Sequence, residues 1–314
     1  MGFYISLLSF QMTSFKQLAL IGSTASGKTS LSIDLAQKIN ANILSLDSLA
    51  IFKEIDIASA KPTTEERQGV KHFGIDVLYP NEPFDVTTFV KLYQEAKEES
   101  INEGKNLIIV GGTSFYLNIL LKGISELPKI DKEAQEASQE LLSNLEKAHD
   151  FLYQKDLNYM KKIEKSDRYR IEKMLNLFFQ TKLTPTEYFK ANPPQATITE
   201  KLPIYEIEVN RDILRKRIEL RTQKMIEDGL IDEVFYLEKT YTREPNCMKA
   251  IGIKEVLAYF DGDYTKKEMQ ERVIIHTAQL AKRQRTFNKS QFLEKTLLSL
   301  EELRAILYPI VKTT

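Results

Sequence analysis

Gly22-Ser23-Thr24-Ala25-Ser26-Gly27-Lys28-Thr29 fills the pattern G-x-x-x-x-G-K-[ST] at every position. Its glycines let a backbone wrap an oxyanion, successive N–H groups point inward, and a following helix N-terminus adds positive potential. Lys28 would set a cation on the terminal phosphates, and the Thr29 hydroxyl could ligate Mg²⁺. The chemistry implied is polyphosphate binding, as in nucleotide- and ATP-binding loops, without implying hydrolysis. A P-loop ATPase needs a second acid, usually an Asp closing a hydrophobic strand, to hold Mg²⁺. Here the run Leu107-Ile108-Ile109-Val110 ends in Gly111-Gly112-Thr113 instead. The acid that does close a strand is Asp47, after Asn42-Ile43-Leu44-Ser45-Leu46. Ligands in open α/β sheets gather at the carboxyl ends of strands. Asp47 is therefore expected beside the phosphates, as a general base for an acceptor group of the kind small-molecule kinases use. A helix N-cap or loop acid is the alternative, and spacing alone leaves both open.

The elements that must position these groups are legible around them. Leu18-Ala19-Leu20-Ile21, stopped by Gly22, reads as a buried strand. Leu31, Ile33, Leu35, Ala36 and Ile39 supply the apolar face of the helix after the loop. A second helix begins at Phe89-Val90, with Leu92, Tyr93 and Ala96, and closes at Gly104. Strands alternating with helices predict an α/β fold: a P-loop NTPase-like parallel sheet core flanked by helices. From about Lys129 to Thr184 the pattern is helical, charged and poor in strand signals, which predicts an all-α insertion domain. Ala191-Asn192-Pro193-Pro194-Gln195 is its expected exit linker. The alternation at Leu202–Val209 returns the chain to the sheet. Long helices follow, with starts or stops near Asn210-Arg211-Asp212, Gly229, Gly252 and Asp261-Gly262-Asp263. The expected division is a catalytic core at 14–128 and 196–300 and an insertion at 129–195.

The chain has 314 residues, 42% hydrophobic and 28% charged, enough for about two domains. Disorder, collagen and disulfide-scaffold classes are excluded by this composition. A single cysteine, Cys247, forbids an internal disulfide and fits a reducing compartment. No stretch reaches the roughly 18–20 apolar residues that span a bilayer, so no membrane partner is expected. The apolar run Phe3–Phe10 lacks the basic region and small-residue cleavage site of a signal peptide. Met1-Gly2 with Ser6 fits the myristoylation pattern, which is short enough to arise by chance. Met12 offers a second start. A cytoplasmic protein is the expectation.

Forty-four Lys and Arg against 44 Asp and Glu give no net charge, yet the cations are not evenly spread. Lys282, Arg283, Arg285 and Lys289 occur without an acid among them and are interleaved with Gln284 and Phe287. Arg168, Arg170 and Lys173 flank Tyr169. Arg211, Arg215, Lys216, Arg217 and Arg221 form a third group, tempered by Asp212 and Glu219. Arg217 and Arg221 are i,i+4 neighbours, and two guanidinium groups on one face invite an anion such as phosphate. RNA is one partner of such patches, since Arg and Lys position its backbone while unstacked loop bases carry specificity. A solvated helix face is the other possibility for each. His72 and Asp76 are four apart but lack further His or Cys for zinc, and His149 and His276 stand alone. The Tyr and Phe residues of 151–189 read as helix packing.

Taken in order, these motifs resemble one family, the tRNA dimethylallyltransferases or tRNA isopentenyltransferases, from about Leu18 to about Phe292. The segments that carry the resemblance are GSTASGKT at Gly22–Thr29, SLDSLAIFKEIDIASAKPT at Ser45–Thr63 and IIVGGTSFYL at Ile108–Leu117. DRYRIEKML at Asp167–Leu175, RTQKMIEDGLIDEV at Arg221–Val234, AIGIKEVLAY at Ala250–Tyr259 and TAQLAKRQRTF at Thr277–Phe287 complete the set. The resemblance implies transfer of a dimethylallyl group from dimethylallyl diphosphate to N6 of the adenosine just 3′ of the tRNA anticodon. It implies that the loop Gly22, Ser23, Thr24, Ala25, Ser26, Gly27, Lys28 and Thr29 holds the diphosphate leaving group, with Mg²⁺ as cofactor and Thr29 toward the metal. It implies Asp47 as the general base, with Thr113 and Arg221 lining the channel where the substrates meet. Contacts with the tRNA anticodon stem-loop are implied for Asp47, Ser48, Leu49, Ala50, Tyr169, Arg170, Ile171, Glu172, Lys173, Arg283 and Gln284. The chain departs from the family pattern at Ala50 and Phe287, where Gln and Trp are usual, and at Glu172-Lys173, where Ile-Arg is common. A monomer suffices for one tRNA. A free-nucleotide prenyl transferase, a P-loop kinase and a non-catalytic RNA-binding module are the competing functions.

Overall fold

The computed structural model describes residues 15–308. The Phe3–Phe10 run and Met12 lie outside the described residues. In chain order the first half holds β1 (Gln17–Ile21), α1 (Lys28–Lys38), β2 (Ala41–Ser45), β3 (His72–Phe73), α2 (Val86–Asn102), β4 (Asn106–Gly111) and α3 (Ser114–Lys122). The helices α4 (Lys132–Leu142), α5 (Leu145–Lys155), α6 (Leu157–Met160), α7 (Arg168–Thr181) and α8 (Pro185–Ala191) follow. The chain then runs through β5 (Ile204–Ile207), α9 (Arg211–Glu227), α10 (Leu230–Tyr241), α11 (Ile253–Phe260), α12 (Lys266–Gln291), β6 (Thr296–Leu298) and α13 (Leu300–Leu307).

The described chain forms two compact units, one built from residues up to 118 and from 200 onward, the other from 119–199. The first holds a six-stranded sheet in the order β3-β2-β4-β1-β5-β6, and every pairing is parallel. Parallel sheets are buried on both faces, so their central strands carry continuous apolar runs rather than alternation. Accordingly Ala19, Leu20, Ile21, Leu107, Ile108 and Ile109 are all fully buried. The face covered by α1 joins Leu31, Ile33 and Leu35 to Leu20, Ile43 and Val110, closed by Leu303 and Leu307 of α13. A separate cluster packs Ile51, Phe52 and Ile55 against Leu230, Val234, Leu237, Ile253 and Val256 of α10 and α11.

The edge strands β3 and β6, of two and three residues, are too short to leave a periodic signal in the sequence. The returning strand occupies only Ile204–Ile207 of the alternation expected at Leu202–Val209. Helix starts agree closely with sequence punctuation: Asn210 caps α9, and Gly229 and Gly252 precede α10 and α11.

The unit of residues 119–199 is helical apart from an isolated antiparallel bridge between Ile124 and Gln195. Its helices start where side chains satisfy orphan N–H groups. Asp131, Asn144, Asp156 and Asp167 each accept such a bond, and Thr184 closes a capping box with Glu187 behind Pro185. Leu142, Leu152, Met160, Ile171, Met174, Leu175 and Leu177 form its core. It begins ahead of the expected 129 and ends past 195. No helix among the described residues is long and apolar enough to cross a membrane.

Candidate active site

Four neighbouring strands deliver the chemistry to one sheet edge. The glycine-rich loop leaves β1, Asp47 lies two residues beyond β2, Gly112-Thr113 follows β4, and α9 follows β5. A cavity of about 740 Å³ opens there. It is lined by Thr24–Thr29, Asp47–Ala50, Gly111–Thr113, Arg217 and Arg221 of α9, and Thr277 and Gln284 of α12. Every lining residue belongs to the unit that holds the sheet.

In the loop, Ala25 takes a left-handed backbone (φ 60°), strained for a residue with a side chain. Lys28 Nζ donates to the carbonyls of Gly22 (2.9 Å) and Ser23 (2.6 Å), tying the loop closed from inside. Burial pushes the Lys28 ammonium down to about 7, helped by the Arg221 charge and opposed by the carboxylates of Asp47 and Glu206. Arg221 donates weakly to Thr24 Oγ1 (3.4 Å), and Arg217 to the Ser26 carbonyl (3.3 Å). Burial also pulls the Arg221 guanidinium down, while Asp47 pulls it up. Ser26 Oγ is buried with no hydrogen-bond partner. Two cations, a tied-back lysine and an orphaned hydroxyl in one cavity form a cradle whose natural occupant is a compact polyanion.

Asp47 takes the loop-cap role that its sequence position allowed, without using up its carboxylate. Its Oδ1 accepts the N–H groups of Leu49 (2.8 Å) and Ala50 (3.2 Å), which fixes the carboxylate as a loop cap. Oδ2 takes part in neither bond, so an oriented carboxylate oxygen remains for chemistry. The Gly111-Gly112 pair explains itself by close approach, since neither residue adopts a positive φ. A Cβ on Gly111 would lie 2.6 Å from Leu46 Cβ, directly before Asp47. One on Gly112 would lie 2.4 Å from Gln284 Nε2. The pair lets the end of β4 seat Asp47 on one side and α12 on the other.

Two charges with no functional signal in the sequence, one partly and one largely buried, hold the segment after Asp47. Glu233 of α10 accepts the N–H groups of Asp56 (2.9 Å), Ile57 (2.7 Å) and Ala58 (2.9 Å), and its carboxyl is pushed up by burial. Lys61, with a side chain only 6% exposed, donates to Phe52 O (3.0 Å) and pairs with Asp56 and Asp76. Residues Ala58–Pro62 thereby form a fixed cavity wall. The spacing of three N–H groups against one distant Glu could not be read from the chain.

The IPP transferase family matches residues 50–291 of this chain. The tRNA dimethylallyltransferase of a Sulfurovum species is 59% identical over 93% of this chain and 97% of its own. That of Sulfurimonas denitrificans is 53% identical, covering 93% and 98%. The crystal structure of the Bacillus halodurans tRNA isopentenylpyrophosphate transferase superposes with a TM-score of 0.69 at 27% identity, covering 95% of this chain and 96% of that one. The chain belongs to the tRNA dimethylallyltransferase family. Its sheet and flanking helices are those of the family's solved structures.

Of the site residues that family resemblance implied, the structure gathers Thr24, Ala25, Ser26, Gly27, Lys28, Thr29, Asp47, Ser48, Leu49, Ala50, Thr113, Arg221 and Gln284 around one cavity. Gly22 and Ser23 enter only through their carbonyls, held by Lys28. Arg283 is exposed and does not line the cavity. Tyr169–Lys173 fall in the helical unit. Ile171 requires a correction: it is 0% exposed in that unit's core, so its side chain cannot meet RNA. Ala50 is likewise buried, at the cavity wall. Gln284 differs from an RNA-facing residue too, because its carboxamide accepts the Thr24 N–H at 2.9 Å. Arg217, whose spacing with Arg221 invited an anion, joins the cradle at the Ser26 carbonyl. Each histidine has a partner: His72, which also lines the cavity, donates to Val70 O (2.8 Å), His149 to Ile163 O (3.1 Å), and His276 pairs with Glu255 (2.5 Å). Asp76 is taken by Lys61 and Arg67.

Proposed function

We propose that this enzyme transfers the dimethylallyl group of dimethylallyl diphosphate to N6 of the adenosine just 3′ of the tRNA anticodon. The observation that carries this reading is the placement of a pinned, half-free carboxylate and a polyanion cradle in one cavity. The core is read as a P-loop NTPase-like sheet, with the helical unit of residues 119–199 as its insertion. The cradle Gly22–Thr29 holds the diphosphate, with Lys28, Arg217 and Arg221 matching its charge. The N6 lone pair attacks C1 of the allylic group, the C1–O bond breaks, and its electron pair leaves on the diphosphate. Asp47 Oδ2 takes the N6 proton. Thr113 and Thr277 line the walls between which the planar base and the allylic carbon meet. A flipped loop adenine costs a few kcal/mol to unstack, and enclosure keeps water from the activated carbon.

The donor set suits Mg²⁺: Thr29 is an exposed cavity residue at the start of α1, and among the described residues no cluster of three or more acids, His or Cys competes for a metal. Mg²⁺ would supply charge neutralisation on the leaving diphosphate. The tRNA anticodon stem-loop would meet Ser48 and Leu49 at the cavity and Arg283 on α12, with Tyr169, Arg170, Glu172 and Lys173 as contacts of the helical unit. A tRNA substrate and a buried free thiol at Cys247 suit a cytoplasmic monomer.

The test is incubation with labelled dimethylallyl diphosphate and Mg²⁺, with unmodified tRNA or AMP as acceptor. Label on tRNA is the expected result. Label on AMP alone would make the protein a free-nucleotide prenyl transferase, and phosphate transfer from ATP would make it a kinase. Asp47→Ala should lower turnover about 10²- to 10⁴-fold while inorganic diphosphate still binds.

A further inference from the structure

We propose that Gln284 is a positioning residue of the phosphate cradle, through which helix α12 sets the shape of the loop that grips the diphosphate. The inference rests on the diphosphate reading of that loop. Gln284 lies on the cavity side of α12, and its Oε1 accepts the N–H of Thr24, at the apex of the loop. The other end of the same carboxamide lies against Gly112, where even a Cβ would come within 2.4 Å of Nε2 and 3.2 Å of Cδ. One planar group therefore wedges between the loop after β1 and the corner after β4. A rigid α-helix carries the wedge, so the loop apex is referenced to α12 rather than left to solvent.

The geometry has a physical need behind it. The apex is strained at Ala25, and among the described residues Thr24 is otherwise fastened by a long contact from Arg221 to its hydroxyl. Lys28 fastens the base of the loop at Gly22 and Ser23, not its apex. Without Gln284 the Thr24 N–H would be unpartnered in a half-buried site, which costs enough to rearrange a short loop. The diphosphate would then bind a loop whose N–H groups no longer converge. Cations Lys282, Arg283 and Arg285 flank Gln284 on the same helix, so one element carries both the cradle's wedge and charges suited to RNA.

Calorimetry with inorganic diphosphate and Mg²⁺, together with steady-state kinetics, tests this on the wild type, Gln284→Leu and Gln284→Glu. Gln284→Leu should weaken diphosphate binding about 10- to 100-fold and raise KM for dimethylallyl diphosphate by a similar factor, leaving KM for tRNA nearly unchanged. Gln284→Glu keeps an acceptor for Thr24, so its affinity relative to wild type should recover as pH falls and the carboxyl becomes neutral. The leucine variant should show no such recovery. If Gln284→Leu does not fold, the glutamate variant's pH profile decides alone, a flat profile overturning the proposal. A leucine variant that binds diphosphate as wild type does, or raises only KM for tRNA, also overturns it and leaves the diphosphate reading standing. A wild type that binds no inorganic diphosphate removes that reading and the proposal together.

Discussion

Helices α7 and α9 both carry clustered cations, yet Arg221 of α9 is held differently from the cations of α7. On α9, Arg217 and Arg221 reach the glycine-rich loop, and burial strains Arg221 against its own charge while Asp47 offsets the strain. On α7, Tyr169 is 71% exposed with Lys173 over its ring at 5.7 Å, Arg168 donates to Leu142 O, and Arg170 pairs with its own cap Asp167. The first turn of α7 contains no acid and two arginines, against the helix dipole. Helix stability does not explain those cations. On the proposed function, the charge set for a small leaving group lies in the cavity beside an opposite charge, and the charges set for a long polyanion stay in water.

The largest effect that could break this contrast belongs to Arg221. Arg221→Ala should reduce kcat/KM for dimethylallyl diphosphate about 10²- to 10³-fold, with little change in KM for tRNA. Arg221→Lys should recover only part, because an ammonium cannot reproduce the guanidinium fork. A loss under about fivefold would place Arg221 with the solvated cations of α7.

Next in size is the one member of the α7 motif that faces inward. Ile171→Ala should destabilise the helical unit by about 2–5 kcal/mol in urea denaturation, while the folded fraction keeps its KM for tRNA. A raised KM without lost stability would return Ile171 to the RNA surface.

Ile171 also marks where sequence stops being sufficient. The loop, the strand ahead of it and the helix behind it were legible because G-x-x-x-x-G-K-[ST] is a local pattern and β1 is a continuous apolar run. Asp47 was legible as a strand-end acid, though its pinning by the N–H groups of Leu49 and Ala50 was only one of two readings. A motif match carries every residue of DRYRIEK alike, but a 3.6-residue period turns Ile171 inward while Tyr169 and Lys173 stay exposed. Glu233, Lys61 and Gln284 reach their partners across 175, 15 and 260 positions, distances at which no local pattern survives. The edge strands were lost because two or three residues are too few to show a period.

The cradle's electrostatics give a smaller, pH-dependent effect. Lys28 titrates near 7 in the free protein, and a bound anion must raise that value. Below about 7 the lysine is charged in both states and contributes full attraction. Above it, binding takes up a proton, so affinity for diphosphate falls with rising pH by at most about tenfold per unit. Heteronuclear NMR of lysine side chains should show one resonance with a midpoint near 7. That resonance should be absent in Lys28→Met and displaced upward by diphosphate. Cations of α7 should show no such displacement.

The smallest expected effect is on α7 itself. Lys173 is exposed with its ammonium over the Tyr169 ring, so its loss should leave folding and diphosphate binding unchanged. Each phosphate contact on a nucleic acid contributes to the slope of log K against log salt, by about 0.7 to 0.9 per contact. Lys173→Ala should therefore weaken tRNA binding a few-fold at low salt and flatten that slope by about one contact. Double substitution with Tyr169→Ala should add a loss that salt does not screen, because stacking on an exposed ring is not an ionic term. If the slope stays as in the wild type, Lys173 meets no phosphate. The contrast between the two helices then lies in burial alone, and the exposed cations of α12, Lys282, Arg283 and Arg285, are the next to substitute.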